Sequence, residues 1–103
     1  MISLEYEFDA ELWRWPAKDN WFFITLPPAE VAEEIKFFHQ NRRGFGSLRV
    51  EVTCGGSSWR TSIFPDKSAD SFVLPVKAAI RNAEAISAGD TARFRLRVLD
   101  EPI

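Results

Sequence analysis

Phe23-Ile24-Thr25-Leu26-Pro27 and Ser71-Phe72-Val73-Leu74-Pro75 decide how this sequence is read. Each is a short apolar run with the aromatic and β-branched residues that suit a strand. Each stops at Leu-Pro, where the ring removes the amide that a ladder needs. The two lie 48 residues apart, and each leads into helix-spaced residues, a glycine turn and an alternating strand. The same offset sets Leu48 on Leu96 and Val50 on Val98. A unit of this kind cannot bury both its faces alone, so two copies, about 21–53 and 70–99, are expected to clasp one shared core.

The rest of the chain fits around this repeat. Leu4, Tyr6, Phe8, Ala10 and Leu12 alternate with Glu5, Glu7, Asp9 and Glu11, the period of a half-buried strand. Residues 13–20 read as a turn, because Pro16 and Asp19-Asn20 favour one. Pro27-Pro28 open a helix that carries Glu30, Glu33 and Glu34 early and Lys36 and His39 late, as the dipole prefers, with Val31, Ile35 and Phe38 facing inward. Arg42-Arg43-Gly44-Phe45-Gly46 turns the chain into a strand of Leu48, Val50 and Val52. Gly55-Gly56 predicts a hairpin into a strand over 58–64, and Pro65-Asp66-Lys67-Ser68 a loop. Val76, Ala79, Ile80 and Ala83 give a second helix over about 76–86 an apolar face, and Ala92, Phe94, Leu96 and Val98 alternate with three arginines in the last strand.

With 103 residues, 46% of them hydrophobic, the expectation is one domain, 1–103, with a single core and no disorder. No apolar run reaches the roughly 20 residues of a membrane span, and the N-terminus has no secretory leader pattern. One cysteine, Cys54, agrees with a reducing cytoplasm. The net charge of −2 argues against coating nucleic acid by bulk charge. The charges are nonetheless segregated, −6 over residues 1–34 and +6 over 35–99.

Part of that asymmetry predicts pairing. Glu5, Glu7, Asp9 and Glu11 are expected to face Arg93, Arg95 and Arg97 across two antiparallel strands. Arg42, Arg43, Arg60, Lys67, Lys77 and Arg81 then have no obvious acidic partner. Of these, Arg43, Arg60, Lys67, Lys77 and Arg81 are candidates for one anion pocket at an end of the barrel, with Arg60 or Arg43 as the planar fork for a phosphate or carboxylate. The alternative is scattered solubility charge, with Arg60–Asp66 an ordinary pair.

No catalytic set emerges. His39 is the sole histidine and suits a helix end; there is no second His or Cys for a usual zinc site. Cys54 reads as a small buried hydrophobe, Ser57, Ser58 and Ser62 lack a nucleophile setting, and Gly44-Phe45-Gly46 lacks the rest of a phosphate or dinucleotide loop. Trp13 and Trp15 share a strand face near a rim, where packing is preferred to ligand stacking.

The Leu-Pro, helix and Ala88-Gly89-Asp90-Thr91 pattern resembles swapped-hairpin (AbrB-type) double-split barrels, here with both halves in one chain. The segments Trp21–Pro27, Arg43–Ser47, Val50–Thr53, Gly55-Gly56, Trp59–Lys67 and Leu74–Arg81 are, as an ordered set, similar to a prokaryotic domain-of-unknown-function family whose members are often fused ahead of a YdeI/OmpD-associated domain. That resemblance covers nearly the whole chain and brings no established activity. It implies a mainly β fold with two helices: a pseudo-twofold double-split β-barrel of about six to seven strands, with a helix capping each end. With Ile103 as the last residue, a downstream domain is not expected here. The expected function is a non-enzymatic module without cofactor or metal that binds a small anion or a protein; the second reading is a nucleic-acid-binding regulator, by analogy with swapped-hairpin transcription factors.

Overall fold

A computed structural model of the protein describes residues 4–17, 20–40 and 47–99, with 38–40 as backbone alone. The expectations for Phe38 and His39 as side chains and for the Arg42–Gly46 turn lie outside the described residues. The elements are β1 (Glu5–Glu11), β2 (Trp13–Arg14), β3 (Phe22–Thr25), α1 (Glu33–Gln40), β4 (Leu48–Cys54), β5 (Ser57–Asp66), β6 (Ser71–Pro75), α2 (Ala78–Glu84) and β7 (Thr91–Val98). The fold is therefore mainly β with two helices. All seven strands pair antiparallel in the order β1-β7-β4-β5-β6-β3-β2, and the sheet curls into a half-barrel.

Its concave side is filled by the inward residues of the alternating strands. Val50, Val52, Ile63, Leu74, Leu96 and Ile24 are wholly buried; Ile35 of α1 and Ile80 of α2, with Val31 and Val76 just ahead of them, join the same core. No helix among the described residues is long and apolar enough to cross a membrane.

The acidic and basic strands pair as their charges predict for three of the four acids: Glu5 opposes Arg97, Glu7 opposes Arg95 and Asp9 opposes Arg93. Glu11, expected to face an arginine as well, opposes Thr91, because the arginine row ends at Arg93. Arg93 lies 3.1 Å from Asp9 and 3.5 Å from Glu7. Arg97 instead bonds Glu51 on its other flank. One outward row thus runs Glu5, Arg97, Glu51, Arg60 across four strands, alternating in sign.

Three boundaries differ from the sequence reading. Trp13–Arg14 is not a turn but β2, paired to Phe23 and Phe22. The bond from the Trp15 amide to the Trp21 carbonyl, 2.8 Å, closes the turn beyond it, so the missing donor of Pro16 falls outside the ladder. β5 continues through Pro65 to Asp66, because after Ile63 the strand exchanges partner β4 for β6 and the proline falls at the changeover. The second helix begins at Ala78; the Val76 amide is still bonded to the Phe22 carbonyl at 2.9 Å. Of its predicted apolar face, Val76 and Ile80 are buried while Ala79 and Ala83 are exposed.

The two prolines act as expected at the first helix, with one addition. Residues Pro28–Ala32 form a wider π-type turn ahead of α1, in which the Ala32 amide reaches back to the Pro27 carbonyl at 3.0 Å. Lys36 on α1 reaches Asp70 in the β5–β6 turn at 2.7 Å. Leu12, which separates β1 from β2, is buried and exchanges bonds with the α2–β7 turn: its amide with the Asp90 carbonyl and its carbonyl with the Gly89 amide. The outer edges of the sheet are therefore successive pieces of one short stretch of chain.

Candidate functional site

Strand alternation places a row of apolar side chains on the convex side of the β2-β3-β6 end. Trp13, Phe23 and Pro75 are in register there, and so are Thr25, Val73 and Phe64. Phe23 is 6% exposed yet stands apart from the main core. Its cover is a set of tryptophans: ring centroids lie 5.2 Å away for Trp13, 5.8 Å for Trp15 and 6.2 Å for Trp21. Trp13 is fixed further by its indole N–H, which donates to Thr25 Oγ1 at 3.0 Å.

This aromatic cluster forms one wall of a cleft of about 860 Å³. Phe64 and Pro65 of β5, Trp59 of the same strand at the edge of the main core, and Pro75 and Val76 also line it. The volume falls within the range of small-molecule sites, which are mostly apolar with a few convergent polar groups. Among the described residues, the charged groups that line it are Arg60, Lys77 and Asp66.

The five predicted site residues separate at this point. Arg60, from β5, and Lys77, which precedes α2, both line the cleft, and among the described residues neither is joined to an acid by an ion pair. Glu51, opposite Arg60, is engaged by Arg97. Asp66 accepts the Ser68 amide at 3.1 Å and the Ser68 hydroxyl at 2.7 Å, so it closes its own turn rather than pairing Arg60. Lys67 is exposed in that turn and does not line the cleft. Arg81 lies behind the wall: its guanidinium carbon is 3.8 Å from the centre of the Phe22 ring and its Nε donates to the Val76 carbonyl at 3.2 Å. Phe22 itself lines the cleft, so Arg81 braces a ring of the site. Arg43 lies outside the described residues.

Trp21, Phe23 and Phe64 are participants that the sequence reading passed over. A signal was present, since five of the eleven residues 13–23 are Trp or Phe. A family model described as a domain of unknown function (DUF1905) matches residues 8–96. The chain belongs to the DUF1905 family. No curated protein matches it. The match runs from inside β1 to inside β7 and so takes in every element that builds the cleft of this DUF1905 domain.

Cys54, at the end of β4, is buried in the core and is not part of the cleft lining. Burial, then the nearby Glu84 carboxylate, raises its pKa above the ordinary thiol value. That favours the protonated, unreactive form.

Proposed function

We propose that this DUF1905 domain is a non-enzymatic binding module whose cleft takes a small ligand bearing a carboxylate or phosphate. One observation carries the reading: Arg60 and Lys77, from different elements, line the same largely apolar cleft, and among the described residues no acid forms an ion pair with either. Both side chains are exposed, so the pair acts as a solvent-facing positive edge that meets the anionic group of a ligand whose apolar part rests on the lining. Arg60 supplies a planar fork and Lys77 a mobile point charge, a combination suited to an oxyanion. Lys67 belongs to the proposed set as an outer attracting charge and Arg81 as the brace of Phe22; Arg43, outside the described residues, belongs to it by its charge alone.

The proposed framework is the pseudo-twofold, double-split barrel built from an internal repeat, with a helix at each end. Two pairings support it. Thr25 pairs with Val73 and Val50 pairs with Val98, so residues equivalent by the 48-residue offset meet each other in both places, as they do across a twofold axis. The adjacency of β1 and β2 through Leu12 supports closure.

Thermal shift at low salt tests the function, with inorganic phosphate, citrate and a panel of carboxylates and phosphate esters as probes. A ligand at about 100 times its Kd stabilises by roughly 2.7 kcal/mol, which is about 10–20 degrees for a chain of this size. The expected result is such a shift, lost in Arg60→Ala and in Lys77→Ala with unchanged far-UV circular dichroism. No shift with any probe overturns the proposal.

A further inference from the structure

Resting on that anion-binding reading, we infer that the ligand carries a planar aromatic ring beside its anionic group, stacked on Trp15 and Trp21. Trp15 is 42% exposed, Trp21 47% and Phe64 44%, and all three line the cleft. Leaving so much ring surface in water on one small patch forgoes stabilisation that burial would bring, and such patches mark binding surfaces.

The wall is prepared for a flat partner. Trp15 and Trp21 meet edge to face, 5.7 Å between centroids and 82° between planes, and both rest on the buried Phe23. The Trp15–Trp21 backbone bond ties the turn that carries them. Little side-chain entropy is then left to lose on binding. The chemistry of the wall also selects. An acyl chain is served by deformable Leu, Ile or Met, whereas the aliphatic side chains here are Val73 and Val76. Rings and prolines present flat faces, and offset or edge stacking rewards a ligand with a π system. Arg60 at the same cleft fits either its anion or its ring face.

Tryptophan fluorescence titration of the whole chain separates the possibilities. The ring-bearing anions are 1-naphthoate and AMP; their saturated counterparts are cyclohexanecarboxylate and glucose 6-phosphate; 2-naphthalenemethanol is the neutral ring. We expect at least one ring-bearing anion to bind about tenfold or more tightly than its saturated counterpart. Which of the two does so tells an aryl carboxylate from a nucleotide. Trp15→Leu should abolish that ratio by weakening the ring-bearing anion far more than its saturated counterpart, and Phe64→Leu, at another ring that lines the cleft, repeats the test should the first variant not fold. Equal binding of ring and saturated anions overturns the aromatic inference and leaves the anion reading standing. Binding of the neutral ring as tightly as the acid, unaltered in Arg60→Ala, overturns the anion reading instead. No binding of any probe overturns both.

Discussion

The rings of Phe23 and Trp13 lie 5.2 Å apart on paired strands, and this contact founds a second, smaller aromatic core on the outside of the sheet. Phe23 is what Trp13, Trp15 and Trp21 share, so its loss should be felt by all three. Phe23→Ala should cost about 3–5 kcal/mol, the usual range for emptying a buried aromatic site. Denaturant unfolding measures the cost, and near-UV circular dichroism should lose tryptophan signal at the same time. A cost below about 1 kcal/mol would show that the cluster collapses freely around the gap and is no unit.

Local pattern reached the sheet further than the site. The alternation of Glu5, Glu7 and Asp9, met by Arg93, Arg95 and Arg97, foretells face and register together, because charge and a period of two constrain the same pairing. The Leu-Pro pair likewise marks two strands that turn out to be neighbours, Ile24 opposite Leu74. The cleft is harder to read. It depends on a two-residue strand, Trp13–Arg14, that propensity cannot distinguish from a turn, and on β5 changing partner beyond Ile63. Arg81 is obscured for another reason: its partners are a ring face and a carbonyl, which charge counting does not register.

Ser71 is the buried polar residue that links the two Leu-Pro strands. Its hydroxyl donates to the Leu26 carbonyl at 2.6 Å, next to the bond from the Leu26 amide to the Phe72 carbonyl. Ser71→Ala removes a donor from a buried acceptor, which costs about 1–3 kcal/mol. Urea unfolding should show that loss with the slope unchanged. Ser71→Thr keeps the hydroxyl and should recover part of it; equal stability of the alanine variant and the parent would mean that water replaces the donor.

Gly55 holds the hairpin against α2. Its φ of +58° is costly for any residue with a Cβ, and an added Cβ would collide with Glu84 Oε1. Glu84 cannot retreat without cost, because its Oε2 accepts the Ser57 hydroxyl at 2.5 Å. Gly55→Ala should therefore destabilise by roughly 1–2 kcal/mol from backbone strain, plus the weakened Ser57 bond. Combining it with Glu84→Ala separates the two: the double variant should lose less than the sum of the singles. Strict additivity in thermal unfolding would remove Glu84 from the account.

Two groups make the fold sensitive to alkali. Tyr6 donates its hydroxyl to Glu34; partial burial first, then that bond and the Glu34 charge, raise its pKa well above the ordinary 10.0. Burial does the same to Cys54, above 9.0, with Glu84 adding to it. In both cases the folded chain keeps a proton that the unfolded chain releases, so between the ordinary and the raised values the native state binds more protons. Stability from these groups is complete below about pH 8 and is lost as pH climbs through the ordinary thiol and phenol values toward the raised ones. Urea midpoints should accordingly be level near neutrality and fall between about pH 9 and 11. Tyr6→Phe should flatten the later part of that fall and Cys54→Ala the earlier part. The thiol itself should react with a disulfide reagent at pH 8 far more slowly in the folded protein than in urea. A midpoint that declines identically in the parent and in both variants would assign the alkaline sensitivity to other groups.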